Sequence, residues 1–411
     1  MFANITNRLK EDKFSIGAAL TITGVPLGMY LDFFFRIPLG WTVLFMALSL
    51  LLLIDWDRVI GRKFVISSPI FSMIFLLQII MLSYGIVSDR MSFQLFSYHL
   101  YVLGLLLAYL SIGSFERLNR VVQWTFITSI PSVLFGVICC ITGLAVGEGV
   151  YLYKQTFGDE AYNLDTLTIS YGILNAFFSM LCMPESAKKS KILYITTIIF
   201  GSYVLLECSK RTPILILMIG LIVFCYNKGY RLTISPQNVK RFFVFLSVLM
   251  ASYFFVDFVH ERVDTFFLSL YEGLRGLLVS DTRPEDVPLS VYERILTRDW
   301  AINYILNDFK WYNYILGGGY FLEWIDYPIL QAYLDLGILG TVLYVIIVAF
   351  FPLRVLFSKI EDNGVLFMSL LTLYPMFSII SSGTPYHPKN YACVLLLAMM
   401  CQKYFFSAKE R

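Results

Sequence analysis

Long apolar runs recur along the whole of this chain, and they decide the solvent in which it can fold. A helix needs about 20 apolar residues to cross the hydrocarbon core of a bilayer, and run length and hydropathy predict about twelve such spans. The predicted spans are residues 14–34, 38–54, 65–87, 93–113, 120–145, 165–183, 191–208, 213–227, 242–259, 328–352, 364–381 and 390–406. The sequence therefore predicts an all-α polytopic membrane protein.

Composition argues against several other classes of protein. Charged residues make up 15% of the 411 residues, against about a quarter in soluble domains. A net charge of +3 gives no reason to expect nucleic acid as a partner. The cysteines all lie within or at the ends of apolar runs. Their odd number and the lack of metal-ligand spacing predict neither a disulfide framework nor a metal site.

Lysine and arginine are unevenly distributed over the segments between the spans. If the N-terminus is cytoplasmic, the cytoplasmic segments hold about 20 of these residues and the opposite short loops about six, the bias expected of an even number of spans with both ends inside. The chain then divides into nine spans in residues 1–259, a large outward-facing segment at 260–327 and three spans in 328–411.

The outward segment 260–327 is predicted to contain two helices and a turn. Apolar residues form one stripe over residues 262–279, which predicts an amphipathic helix at the membrane interface or against the bundle. Ser290–Glu293 matches a capping box, so we predict a second helix over about 291–308. Gly317–Gly319 predicts a turn that ends this region.

Two pairs of cations are candidates for binding an anionic substrate. Lys210 and Arg211 stand between two apolar runs, where Thr212 can begin a helix whose N-terminus favours phosphate. Arg294 and Arg298 lie four residues apart on one face of the second predicted helix, and guanidinium groups bind phosphate oxygens in pairs. The alternatives are charges that reach the lipid headgroups and solvated arginines offset by neighbouring carboxylates. Because the topology puts both pairs on the outer face, together they favour a diphosphate.

Carboxylates, an aromatic residue and a histidine near the outer ends of the last spans are further candidates. Glu323 and Asp326 directly precede a span, and either could act as general base for a sugar hydroxyl. Interfacial carboxylates without a catalytic role are the alternative. Tyr320 could stack on a sugar ring, and His387 lies in the last outer loop, where loop decoration is the alternative.

The rest of the sequence offers no soluble catalytic module. It contains no phosphate-binding Walker loop, dinucleotide fingerprint or kinase signature, and no aqueous segment is large enough for a nucleotide-sugar-binding βαβ domain. His99 and Asp335 lie near span ends, where packing or interfacial positions are expected. A transferase with this organisation therefore needs a substrate that arrives through the membrane already activated.

Four motifs occur in an order that resembles the superfamily of O-antigen polymerases (Wzy) and O-antigen ligases of bacterial envelopes. Ser209–Thr212 is similar to their SRT-like motif after a middle span. Arg294, followed by Trp300, is similar to the arginine of their large loop, and Arg298 is the alternative match. Gly317–Gly319 matches their G-x-G stretch, and Gly337–Gly340 matches the start of the span that follows it. The motifs cover roughly residues 195–350.

The resemblance implies a GT-C-like membrane fold and glycosyl transfer at the periplasmic face of the bacterial inner membrane, with both termini cytoplasmic. A hydroxyl of one repeat unit linked to undecaprenyl diphosphate attacks the anomeric carbon of a growing chain on the same carrier, and the lipid diphosphate leaves. Neither a cofactor nor a metal is implied, and a chain-length regulator is a candidate partner. The catalytic residues implied are Arg211 and Arg294, as cations that stabilise the leaving group, and Asp326 as base. The substrate-binding residues implied are Lys210, Arg298, Glu323, Tyr320 and His387.

Two other functions fit this organisation less well. Ligases of the superfamily usually have a His-Asn pair where this chain has Asp326-Tyr327, which favours a polymerase over a ligase that moves glycan to lipid A core. A flippase for lipid-linked oligosaccharides should have polar central spans and paired halves with short loops. The spans of this chain are instead expected to be dry, and one late loop is large.

A cysteine at Glu285, in the proline-containing turn of the outward segment, tests the topology. We expect Glu285→Cys to react with an impermeant thiol reagent from outside because segment 260–327 faces outward. The unsubstituted chain gives the background labelling of the native cysteines, and Lys359→Cys, on the predicted inner side, should label above that background only after lysis. Labelling of Glu285→Cys only after lysis would overturn the topology.

Overall fold

The computed structural model describes most of the chain. The described residues are 2–35, 37, 40–64, 68–112, 118, 120–142, 152–157, 160–164, 166–184, 191–208, 211–229, scattered positions between 247 and 271, 289–381 and 383–407. The helices are α1 (Phe2–Phe35), α2 (Gly40–Leu53), α3 (Trp56–Ile60), α4 (Pro69–Ser88), α5 (Phe93–Ser111), α6 (Val121–Ile141), α7 (Thr166–Cys182), α8 (Lys191–Cys208), α9 (Arg211–Asn227), α10 (Leu289–Asn307), α11 (Trp311–Leu316), α12 (Pro328–Val345), α13 (Phe351–Leu356), α14 (Asn363–Leu371), α15 (Leu373–Ser381) and α16 (Lys389–Ser407).

The helical, multi-pass architecture is confirmed. Each predicted span except 242–259 coincides with a described helix or pair of helices, and 7 of these helices are long and apolar enough to cross a membrane. Three shorter apolar helices accompany them: Gly40–Leu53, Thr166–Cys182 and Thr212–Asn227. The span at 242–259 lies largely outside the described residues, so the total of twelve stays a prediction.

The outer segments contain a β-hairpin that was not predicted and a helix that was. The segment between α6 and α7, expected only as an outer loop, contains an antiparallel hairpin of β1 (Leu152–Phe157) and β2 (Glu160–Leu164). Helix α10 begins within two residues of the predicted start. The amphipathic helix predicted at 262–279 falls mostly outside the described residues, as do the side chains of the capping box.

Local side-chain caps explain why several helices begin where they do. The buried carboxylate of Asp32 accepts the N–H of Trp41 at 2.6 Å, which closes the tight connection between α1 and α2. Ser92 Oγ accepts the N–H of Leu95 at 3.2 Å at the start of α5, and Asp362 caps α14 in the same way. Each cap satisfies a main-chain donor that the first turn of a helix leaves unpaired.

Contacts between helix ends agree with alternating spans. Arg120, directly before α6, and Asp12, where the apolar span within α1 begins, form an ion pair of 3.0 Å. At the opposite ends of the helices, Arg90 donates to the main-chain oxygen of Leu322 at 3.4 Å. In each contact, both residues belong to segments that the predicted topology assigns to the same side of the membrane. We call the end of the bundle that holds Arg90 and Leu322 the outer end, after the predicted topology, and the end of segment 260–327 lies there.

Two apolar clusters organise the packing. The larger one runs through the spans from α1 to α16. The smaller one consists of Ala301, Ile305, Ile325 and Leu334, with partly buried aromatic residues around it. Since these four residues belong to α10, the following loop and α12, the smaller cluster packs the large outer segment onto the end of a span.

A break inside α12 is the sharpest feature of the backbone. Gly337 has φ 64° and ψ −167°, which interrupts the helix between Pro328 and Val345. Such a break leaves main-chain carbonyls without partners inside the helix. Here Gly318 N–H donates to Leu334 O at 2.7 Å and Gly319 N–H to Asp335 O at 3.4 Å. The glycine turn predicted at 317–319 thus supplies hydrogen-bond donors to the carbonyl groups that the break exposes.

The turn and the break approach each other so closely that neither tolerates a side chain. A Cβ at Gly317, whose φ is 90°, would lie 2.1 Å from Asp335 O. A Cβ at Gly337 would lie 2.4 Å from Ile315 O and 2.5 Å from Gly317 N. Two of the sequence motifs, Gly317–Gly319 and Gly337–Gly340, are therefore two sides of one main-chain contact.

Alanine at Gly337 tests this contact against a matched position. Gly229 has the same φ of 64°, but a Cβ there meets nothing within 4 Å, so Gly229→Ala carries only the strain of left-handed backbone, about 1–2 kcal/mol. We expect Gly337→Ala to lower the melting temperature of the detergent-solubilised protein clearly more than Gly229→Ala, because it also forces two backbones apart. Equal melting temperatures for the two variants would contradict the contact.

Candidate functional site

The outer end of the bundle brings together Arg294, Asp326 and Gly383 from three separate segments. Arg294 Nε donates to Asp326 Oδ2 at 2.6 Å, and the N–H of Gly383 donates to Asp326 Oδ1 at 2.6 Å. The Arg294 and Asp326 side chains are 39% and 22% exposed, so the ion pair is accessible from water. Two predicted site residues are therefore partners, which the sequence did not indicate.

Arg298 lies one helical turn beyond Arg294 on α10 and has a different partner. Its Nε donates to Asp299 Oδ1 at 3.0 Å, and its side chain is only 19% exposed. For Arg298 the alternative interpretation therefore holds: a neighbouring carboxylate offsets its charge. Arg294 is instead held by a carboxylate from the far end of the outer segment.

Helix α9, which begins at Arg211, runs antiparallel to α14 and α15. At its inner end, Asn227 Oδ1 accepts the N–H of Ile360 at 3.1 Å. Midway, a Cβ at Gly220 would lie 3.7 Å from Leu373. Arg211 lies nine residues before Gly220, and the residue before Gly383 lies nine residues after Leu373. Nine residues span about 14 Å along a helix. The first turn of α9 therefore lies toward the end of the bundle that holds Gly383; Lys210 and the Arg211 side chain lie outside the described residues.

A buried hydrogen-bonded chain anchors the outer loop to α4 and α5. Gln78 Oε1 lies 2.7 Å from His99 Nδ1, and Tyr320 Oη lies 2.8 Å from His99 Nε2. Because an amide oxygen only accepts, Nδ1 donates, and Nε2 of a neutral ring accepts the Tyr320 hydroxyl hydrogen. His99 thus has the satisfied packing role expected of it.

Tyr320 lies in the interior instead of on the solvent-exposed surface that sugar stacking requires. Its side chain is 0% exposed, and its ring packs 4.6 Å from the ring of Tyr386. Burial raises the pKa of Tyr320, and the nearby charge of Asp335 raises it further. The residue therefore holds the loop in place and does not offer a face to substrate.

Asp335 is buried inside the protein, which corrects the expected interfacial position. Its Oδ2 accepts the hydroxyl of Tyr386 at 2.8 Å, and its Oδ1 accepts the N–H of Leu322 at 3.2 Å. Tyr386 belongs to the loop 383–388 and Leu322 to the loop 317–327. One buried carboxylate on α12 therefore connects the two loops that meet at Asp326.

His387 lies on the opposite side of the loop 383–388 from the Asp326 contact. Its Nδ1 accepts the N–H of Lys389 at 3.2 Å, and its ring lies 5.2 Å from the ring of Tyr98. Burial lowers the pKa of His387 well below its usual value, and the charge of Lys389 lowers it further. The ring is therefore neutral at pH 7, in agreement with a nitrogen that accepts.

A cavity of about 80 Å³ lies within the bundle below this loop, large enough for several water molecules. Its polar lining includes Thr21, Tyr101, Asn175, Tyr374, His387 and Lys389. The expectation of dry central spans is wrong, since Gln78, His99 and Asn175 are all buried within helices of the bundle. Polar groups at this depth are costly in lipid and mark functional candidates.

Comparison with known proteins adds no assignment. The chain matches no protein-family model, no curated protein and no solved structure. Among the described residues, no group of three His, Cys, Asp or Glu side chains could hold a metal ion. The site is therefore interpreted from its own geometry.

Sequence reasoning missed the residues that hold the site together. Gln78, Tyr386 and Gly383 carry no motif, and each acts through a partner far away along the chain. A polar residue in the middle of an apolar run was the one available signal, and it applies to Gln78.

Phenylalanine at Tyr320 tests whether the buried chain holds the outer loop. We expect Tyr320→Phe to cost about 1–3 kcal/mol of stability, because it leaves His99 Nε2 buried without a donor. Tyr312→Phe is the control, since that exposed ring lies in the same outer segment and its hydroxyl has no hydrogen-bond partner among the described residues. Melting temperatures in detergent are compared, and equal values for the two variants would refute the anchoring role.

Proposed function

We propose that this protein is a polysaccharide polymerase of the bacterial inner membrane, with its active site on the periplasmic face. It would join repeat units linked to undecaprenyl diphosphate by glycosyl transfer. The observation that carries the proposal is the meeting of Arg294 with Asp326, at the end of the bundle where α9 begins. These are the segments whose motifs resemble the polymerase and ligase superfamily.

Arg294 is suited to a diphosphate. Its Nε is bound to Asp326, while its two terminal nitrogens have no hydrogen-bond partner among the described residues. A guanidinium oriented in this way presents paired donors to phosphate oxygens. In the proposed reaction it stabilises the charge that develops on the departing lipid diphosphate. Arg211 would supply a second cation from the start of α9.

Asp326 receives a different role from the one first expected of it. Both of its carboxylate oxygens accept short hydrogen bonds, from Arg294 and from Gly383. Protonation would break the ion pair with Arg294, which makes Asp326 a poor acceptor for the proton of a sugar hydroxyl. We assign it instead to positioning Arg294. Its place in the His-Asn position of the ligases favours the polymerase over the ligase.

A transporter of lipid-linked oligosaccharides is the second candidate. The polar side chains among those that line the cavity beneath the loop 383–388 favour it, because transport requires polar groups along the central spans. The large outer segment folded onto the bundle and the paired Arg294 favour the polymerase. Partners common to both functions are the lipid bilayer and the lipid-linked oligosaccharide, and a chain-length regulator belongs to the polymerase alone.

Alanine at Arg294 tests the proposed function. We expect Arg294→Ala and Arg211→Ala to lower chain extension by about 10²–10³-fold, so that long polysaccharide disappears while single repeat units still reach the surface. Arg298→Ala is the matched control and should lose less, because Asp299 already offsets that charge. Gels of surface polysaccharide, from a deletion strain complemented at equal protein levels, provide the measurement. Unchanged chain length in Arg294→Ala, or a stronger loss in Arg298→Ala, would contradict the assignment.

A further inference from the structure

An open groove lies beside the Arg294–Asp326 ion pair. It has a volume of about 240 Å³ and is lined by Leu296, Thr297, Trp300 and Glu323. Its two walls are α10 and the loop 317–327, the same two segments that the ion pair joins. The groove therefore lies between the two segments that also hold the proposed diphosphate site.

Trp300 gives the groove a rigid aromatic wall. Its indole stacks on Tyr304, with ring centroids 5.4 Å apart and an angle of 19° between the planes. Tyr304 in turn packs edge-on against Phe309 at 5.9 Å and belongs to the rim of the smaller apolar cluster. The indole is still 40% exposed. A large planar side chain held in one orientation offers contact area at little cost in conformational entropy.

Glu323 faces the groove from the other wall. Its side chain is exposed and makes no hydrogen bond or ion pair with any described residue. Its main-chain oxygen accepts from Gln331 Nε2 at 3.2 Å, which holds the backbone at this point. The loop therefore carries two carboxylates three residues apart: Asp326, bound on both oxygens, and Glu323, open to a ligand.

The spacing suits one sugar unit beside a diphosphate. Trp300 lies six residues after Arg294 on α10, which is about 9 Å along the helix axis and about 120° around it. A pyranose ring has apolar C–H faces and a rim of hydroxyls. Trp300 can cover one face while the Glu323 carboxylate accepts a hydroxyl hydrogen from the rim.

We propose that this groove binds the acceptor sugar and that Glu323 is the general base of the reaction. The inference rests on the proposed polymerase function and deepens it. The acceptor hydroxyl oxygen forms the new bond to the anomeric carbon of the donor, and its proton passes to the Glu323 carboxylate. The bond from the anomeric carbon to the phosphate oxygen breaks, and its electron pair leaves with the lipid diphosphate at Arg294.

The first test is binding of a sugar ligand to the intact, detergent-solubilised protein. The probe is the repeat-unit oligosaccharide released by mild acid from the carrier lipid of the source bacterium, and titration calorimetry gives its affinity. We expect Trp300→Ala to weaken binding by about tenfold or more. Trp311→Ala, which removes a more exposed indole from the same outer segment, should leave the affinity unchanged. No binding to the wild-type chain, or equal affinity in Trp300→Ala, overturns the sugar site.

The second test separates the groove from the proposed function. Glu323→Gln should bind the oligosaccharide as the wild type does but extend chains about 10²-fold or more slowly. Arg294→Ala is measured beside it in the same membranes. If Arg294→Ala stops extension and Glu323→Gln extends at the wild-type rate, the base assignment is wrong while the polymerase stands. If both variants extend chains normally, the assignments of Arg294 and Glu323 are both wrong. If the wild-type chain itself restores no extension to the deletion strain, the polymerase and the inference fall together.

Discussion

The main-chain contact between Gly317 and the broken helix at Gly337 is the constraint on which the outer face depends. Inside a bilayer, carbonyl groups released by a helix break cannot turn to water, and each unsatisfied group costs several kcal/mol. The N–H groups of Gly318 and Gly319 satisfy the two carbonyls released here. The large outer segment is therefore attached to the spans through its backbone. Only glycine at positions 317 and 337 allows these two backbone segments to come so close.

Asp335, two residues before the break, extends this attachment to a second loop. A buried carboxylate is costly unless hydrogen bonds compensate its desolvation, and the partners of Asp335 are the N–H of Leu322 and the hydroxyl of Tyr386. These partners come from the two loops that also meet at Asp326. The geometry at the accessible surface thus follows from a buried network beneath it. A change at Asp335 would reach the site without touching any substrate.

The sequence predicted what local patterns encode. A bilayer-length apolar run has few structural solutions, so the spans within the described residues, the helix at 289–307 and the glycine turn agree with expectation. Pairings across the fold were not predictable in this way. His99 and Tyr320 are 221 positions apart, and no periodicity relates them. Tyr320 was accordingly assigned to sugar binding, because its residue type was visible and its burial was not.

The two carboxylates at the end of the outer segment show why contacts decide roles that residue type leaves open. Asp326 and Glu323 are equivalent as candidate bases in the sequence, but their environments differ in the fold. Asp326 accepts hydrogen bonds from Arg294 and Gly383 and thereby orients Arg294, and a proton taken there would release the cation when the leaving group needs it. Glu323 can accept a proton without disturbing that pair. Two carboxylates in contrasting surroundings commonly divide electrostatic and proton-transfer roles between them, and this loop provides the surroundings for such a division.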